Sequence, residues 1–354
     1  MIQPRLFCSF PVKHRKAFKS GKDLYQPKAD EYLLNHNRSG LLLALQALHL
    51  PQGSIVGVMA YNCHTVMNAV SEAGCHVRFI DVTKELKMDL NDFRKKSEGL
   101  SALIVSHLFG IANDIDAIME ICPDIPIIED CAHAFGMKQC GIKGDFAVYS
   151  IGRGKFPSIG DGGILKVNNA DYKTEIERLY AELLEYSGKQ ERKLYVKLLV
   201  SHWLYKPFVY SVLTLPLLKR GNRKIAPAKE QIKPRKMSKG IAAVYNVVLP
   251  NVEQLMKQRQ IVSDYLISYY KRVGGVMVVN NNTTESNCFM FPLYCDNPSA
   301  IKTDLHHKEI EAETHFRYCL VWGKEYGYKE GDCPNAEDLV CHLLMIPTYR
   351  TLRL

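Results

Sequence analysis

The chain lacks the marks of a secreted or disulfide-built protein. Its eleven cysteines are scattered without a CxxC pair, which excludes a disulfide framework and fits a reducing compartment where thiols act as small buried hydrophobes. The histidines show no HxxxH spacing, so no metal site is expected. The N-terminal MIQPRLFCSFPVKHRKAF has no continuous apolar core before its basic residues, so neither a signal peptide nor an N-terminal anchor is expected, and the location reads as cytoplasmic. Internal repeats and low-complexity tracts are absent. What remains is a chain of 354 residues, 47% apolar and 23% charged, enough for a large core and usually two domains.

Acidic residues are scarce in one place. Between Lys189 and Lys239 fourteen Lys or Arg face only Glu191 and Glu230, so this stretch carries +12 of formal charge and the rest of the chain −3. The stretch contains LYVKLLVSHWLYKPFVYSVLTLPLLKRGNRK, apolar and aromatic but interrupted by Lys197, Lys206, Pro207 and Pro216. A spanning helix needs about twenty uncharged apolar residues, so this segment does not cross a membrane. Nucleic-acid binding is not expected, for want of a recognition motif and because the aromatics lie in an apolar run. Two readings stay open: a peripheral contact through 189–239 with the inner face of an anionic membrane, or a helical cover over a dimer interface or an active-site mouth.

From Leu41 to Val167 the strand-like runs SIVGVM, HVRFID, ALIVSH, IPIIED, FAVYS and GGILKV alternate with helical patterns. That alternation predicts an α/β fold with a mostly parallel central sheet and helices on both faces. Beyond Pro250 a long helical pattern, two apolar runs and a short helix predict a smaller C-terminal α+β domain. The division is 1–185 for a large domain, 186–236 for the basic apolar insert and 237–354 for the small domain.

Ligands in such sheets sit in the loops after the strands. IIEDCAHAFG ends a strand at Asp130, with His133 three residues on; FAVYS ends at Ser150, and IGRGKFPSIGDGG follows, five glycines around Lys155. An Asp after a strand often only caps a turn, and a lone His is often structural. Turn-making alone does not call for the lysine. Together these are the parts that hold pyridoxal 5'-phosphate: an amine for its aldehyde, a carboxylate for its ring nitrogen, and donors for its phosphate from Ser150, the glycine turn and a helix start.

The run from SHLFGIANDIDAI through GRGKFPSIGDGG, with KMSKGIAAVYN and CPNAEDLVCHLLMIP further on, closely resembles the DegT-type nucleotide-sugar aminotransferases of the fold type I pyridoxal phosphate enzymes. The resemblance covers most of residues 37 to 347 and includes the five-residue step from Ser150 to Lys155. It implies that Lys155 bonds the cofactor and shuttles protons, that Asp130 meets the pyridinium, that His133 lies near the phenolic oxygen, and that Ser150 binds phosphate. It places Asn37, Arg38 and Ser39 at the phosphate-binding helix start, where relatives have a Gly-Thr pair. It also implies a homodimer, with residues near Lys233 to Lys239 acting across the interface.

The chain departs from that pattern in three places. Cys63 falls where relatives stack an aromatic on the ring, leaving His64 or Tyr61 for that task; Pro234 replaces an asparagine that reaches the neighbouring phosphate; and the chain stops at IPTYRTLRL, before a final helix. His107 and His315 are further candidates for the pocket wall. The function implied is transfer of an amino group from an amino acid, glutamate by the resemblance, to a keto-sugar nucleotide in surface polysaccharide or glycan synthesis. A non-catalytic pyridoxal phosphate-binding regulatory protein is the alternative, since fold does not fix function.

Overall fold

The computed structural model describes residues 2, 4, 10–220 and 229–349. The tip of the insert, with Arg223 and Lys224, and the last five residues of IPTYRTLRL lie outside the described residues.

Seven strands form the main sheet: β1 (Glu31–Leu34), β2 (Ile55–Met59), β3 (His76–Ile80), β4 (Ala102–Ser106), β5 (Ile127–Asp130), β6 (Phe146–Ser150) and β7 (Gly163–Val167), in the order β1-β7-β6-β5-β4-β2-β3. Strands β2 to β6 run parallel; β7 lies antiparallel to β6 and to β1. Along a strand successive side chains take opposite faces. Leu103, Val105 and Ile127 enter the core on one side, Ala102, Ile104 and Ile128 the core on the other. Both faces are dry, which is why these strands read as continuous apolar runs.

Sequence order reverses where β3 and β4 flank β2, and the crevice beyond the carboxyl ends of the strands is the place for a ligand in such sheets. A second sheet, antiparallel, is built from β8 (Val276–Val278), β9 (Met290–Cys295) and β10 (Leu343–Pro347), with the long helix Val252–Tyr270 against it. The sequence reading missed β1 and β10, short strands whose partners lie far along the chain.

The insert is helical over most of Gly188 to Arg220. Ser187 and Gln190 form a reciprocal cap at the start of the helix Gly188–Leu204, which satisfies two otherwise free backbone donors. Leu194 and Leu198 turn inward, while Val196, Val200 and Trp203 form an exposed stripe that continues through Phe208, Val212, Leu213 and Leu217. Among the described residues no helix is long and apolar enough to cross a membrane.

Asn35, buried after β1, joins three segments. Its Nδ2 donates to the carbonyl of Lys233 at 3.0 Å, its Oδ1 accepts from Ser39 Oγ at 2.8 Å and Arg235 N at 3.2 Å, and its carbonyl accepts from Gly162 N at 3.0 Å. The residues around Pro234 therefore lie along β1 of their own chain, where Met237 N also donates to Leu33 O.

Gly163, the first residue of β7, passes hard against the start of the helix Asn37–Ala47. A Cβ there would lie 2.4 Å from Asn37 N and 2.4 Å from the carbonyl carbon of His36. Backbone cannot yield as a side-chain tip does, so Gly163→Ala should lower unfolding stability by about 1–3 kcal/mol, measured by urea denaturation. A wild-type midpoint would show that the two segments separate freely.

Candidate active site

A cavity of about 370 Å³ opens beyond the carboxyl ends of β4, β5 and β6, lined among others by Asn37, Cys63, Asp130, His133, Ser150 and Lys155. Asp130 is the last residue of β5 and is buried. Its Oδ1 accepts from Asn37 Nδ2 at 3.2 Å and Ala132 N at 3.1 Å, and its Oδ2 from Ser106 Oγ at 3.2 Å. Ser106 Oγ accepts in turn from Asn62 Nδ2 at 2.8 Å. These donors fix the orientation of the carboxylate at the cavity wall.

Glu129, its neighbour, points to the opposite side of the strand. There it accepts from the backbone N–H groups of Gly141, Lys143 and Gly144 at 2.7 to 2.8 Å and pairs with His107 Nε2 at 2.8 Å. Burial opposes its charge, yet the His107 pairing and these N–H groups hold its carboxyl down at about 2. His107, Glu129 and Cys131 have ligand atoms close together, but hydrogen bonds already occupy both Glu129 oxygens, and His107 Nδ1 accepts from Asn113 N at 3.0 Å. This trio braces the turn after β5.

Lys155 Nζ lies 2.7 Å from His133 Nε2. Burial lowers the lysine against the opposing pull of Cys63 and Asp130. Burial, with Lys155 and His315 nearby, drives His133 well below its ordinary value. His133 Nδ1 accepts from Phe109 N at 3.4 Å, so a neutral ring carries its proton on Nε2 and donates it to the free-base amine. The imidazole packs nearly parallel to Phe289 at 4.6 Å and Phe316 at 5.8 Å, which keeps it dry and fixed. The loop between β6 and β7 that carries Lys155 turns through Gly160 and Gly162, at φ 111° and 110°, backbone that only glycine adopts without strain.

Other residues expected at the site are placed differently. Ser39 is fully buried and donates to Asn35, so its hydroxyl is directed at the strand end and not into the cavity. His64 follows the helix-capping Cys63 and packs on Trp322 at 4.6 Å, and the buried Tyr61 meets the edge of Phe316 at 5.7 Å. Neither ring lines the cavity. Cys63 does line it, its Sγ accepting from Thr65 Oγ1 at 3.1 Å; burial pushes its thiol up, but His64, Lys155 and Thr65 bring it down to about 7. The Asn37 carboxamide serves Asp130. His107 reaches the wall, and His315 packs beside His133 at 5.7 Å.

The sequence reading missed Phe316, Ser106, Asn62, His36, Asp161 and Arg153; from the insert, Lys197, Leu198 and Ser201 line the same cavity. Asp161 is buried against His36 Nδ1 at 3.5 Å. Burial raises its carboxyl to about 6 against Lys197, Gly162 N and Arg38, while burial, Arg38 and Lys197 take His36 down to about 4. The insert thus covers the mouth of the cavity, one of the two readings left open by its sequence.

Comparison with known proteins agrees with this architecture. The profile of the DegT/DnrJ/EryC1/StrS aminotransferase family matches residues 34–354. An uncharacterised protein of Methanocaldococcus jannaschii, MJ1066, is 24% identical over 330 residues, 89% of this chain and 80% of its own length. GDP-perosamine synthase of Vibrio cholerae is 30% identical over 139 residues, so that the match spans 37% of this chain and 38% of that enzyme. The crystal structure of the aminotransferase TlmJ from Streptoalloteichus hindustanus superposes with a TM-score of 0.76 at 18% identity, covering 100% of this chain and 95% of that one.

Glu129 makes stability depend on acid. Its carboxyl is depressed in the folded protein, so its contribution is whole above about pH 4.5 and fades as pH falls toward 2. Chemical denaturation at a series of pH values should show wild-type stability dropping across that window, with Glu129→Gln less stable at neutral pH and flatter in acid. Parallel curves would remove Glu129 from this role.

Proposed function

The chain belongs to the DegT/DnrJ/EryC1/StrS aminotransferase family of pyridoxal phosphate-dependent enzymes, and on that premise we propose that it moves an amino group from glutamate to a keto-sugar nucleotide. The observation that carries this reading is the buried pairing of Lys155 Nζ with a neutral His133. Amino transfer needs a nucleophilic amine, and burial lowers this lysine toward its free form against the opposing pull of Cys63 and Asp130.

The residues present fit the cofactor. Lys155 would bond its aldehyde, Asp130 would face its ring nitrogen, and His133 would sit beside the same reacting end. Ser150 and the N–H groups at the start of the helix Asn37–Ala47, with Arg38 in its first turn, would hold its phosphate. When bound, pyridoxal phosphate supplies an electron sink for charge developing at the substrate's α-carbon.

The chain's own groups do the rest. Asn37, Ser106 and Ala132 N hold Asp130 in its orientation. Lys155 Nζ takes the proton from the donor's α-carbon and later delivers one to the acceptor carbon. His133, dry between aromatic rings, holds the amine in place between those steps. A lysine at 155 separates this chain from sugar dehydratases of similar sequence with histidine there, and disfavours a non-catalytic role.

Adding pyridoxal phosphate to the purified protein should produce a visible absorption band that glutamate discharges, with turnover on one member of a panel of keto-sugar nucleotides. Lys155→Ala should lower kcat by at least about 10²–10⁴-fold and lose covalent trapping by borohydride. Persistence of the band with glutamate and with glutamine would refute amino transfer.

We further propose that the exposed stripe Val196, Val200, Trp203, Phe208, Val212, Leu213 and Leu217 rests on an anionic lipid surface, as an interfacial helix pair does. Basic residues flank it, and a second copy would bring like charge against like, whereas acidic headgroups complement it. The protein should sediment with phosphatidylglycerol vesicles at low salt and be released at high salt, and W203S with F208S should abolish this. Indifference to vesicles would end the proposal.

A further inference from the structure

The helix Gly188–Leu204 has a second face, directed at the cavity. Leu194, Lys197, Leu198 and Ser201 recur at helical spacing on the side turned toward the core, and the last three line the cavity. Lys197 is exposed at the mouth. It has no hydrogen-bond or ion-pair partner among the described residues.

The same helix ends on Tyr205, whose ring lies under the guanidinium of Arg153 at 5.7 Å and stacks on Tyr210 at 5.6 Å. Tyr210 is anchored in turn by its hydroxyl, which donates to the Glu311 carboxylate at 2.8 Å. A ring face steadies a guanidinium without using its N–H groups. Arg153 therefore offers a planar donor fork at the rim, and Lys197 a point charge on the helix two turns before Tyr205, about 12 Å from it by helical rise.

Asp161 feels the charge of Lys197, but the hydrogen bonds of the cavity's acids go to other groups. Asp130 is committed to Asn37, Ser106 and Ala132 N, and Asp161 is buried with His36 and Gly162 N. His36 adds no negative charge, and Arg38, deeper and half-buried, adds a positive one. The rim is left with cations whose N–H donors carry no hydrogen bond among the described residues, the chemistry that receives phosphate oxygens.

Resting on the aminotransferase reading, we propose that Arg153 and Lys197 form a clamp for the diphosphate of the nucleotide-sugar substrate, supplied by the insert of the same chain. Lys197 contacts the substrate directly; Tyr205 is a positioning residue for Arg153.

The test uses the wild-type holoenzyme and its K197Q and R153Q variants, with GDP, UDP and the corresponding nucleosides titrated by calorimetry and pyridoxal phosphate and pyridoxal titrated by absorbance into the apoprotein. One diphosphate should bind wild type well above its nucleoside. Each variant should weaken that binding by about tenfold or more, more steeply at low salt, while leaving the cofactor titration unchanged. Unaltered diphosphate affinity in both variants overturns the clamp. So does a loss confined to pyridoxal phosphate, which would assign the cations to the cofactor, and so does wild type that binds neither diphosphate. A holoenzyme that binds a diphosphate through Lys197 but transfers no amino group would sink the functional reading and leave the clamp standing.

Discussion

An amine drawn out of water and held against a neutral imidazole is the condition on which the rest of this structure depends. Lys155 meets it by lying against a neutral His133 that is itself walled by Phe289 and Phe316. A charged imidazole would set a second N–H against Phe109 N, which donates to Nδ1 here, and would place a charge between apolar rings. The fold surrounds this contact from two directions: the first sheet brings His133 and Lys155 from the loops after β5 and β6, and the segment leading into β9 brings Phe289. Neither part alone would keep the pair dry.

Asp130 shows the complementary treatment of a charge. It is buried almost as deeply as its neighbour Glu129, yet the two carboxylates have separate duties because strand geometry sends them to opposite sides. Glu129 is spent on backbone donors and on His107, and holds a turn. Asp130 keeps hydrogen bonds from side chains of the helix Asn37–Ala47 and of β4, so its position is set by several elements at once. The pair of acids that ends IIED is thus one structural brace and one group addressed to the cavity.

The sequence made the parallel strands legible because burial on both faces leaves uninterrupted apolar runs, and it made Lys155, Asp130, His133 and Ser150 legible because each follows such a run at short range. Contacts made across long stretches of chain were not. Phe316 stands well over a hundred residues from His133, and nothing local to ETHFRY announces a ring stacked on an imidazole. Ser39 and His64 were misjudged for a related reason: adjacency to a helix start does not fix which way a side chain turns, and here Asn35 and Trp322 capture them. Lys197 was hidden by its own neighbourhood, since one lysine among fourteen basic residues looks like solvated charge until the helix is seen over the cavity.

The buried amide of Asn35 ties together the first turn of a helix, the glycine turn before β7 and the return of the insert to the fold. Because one side chain terminates all three, the insert is not a detachable ornament that recombination could exchange at will. Lineages that lengthen or shorten it must preserve the path through Lys233 and Arg235, so variation is channelled toward the far end of the excursion, and the part nearest the reaction is inherited as a unit with the helix it touches.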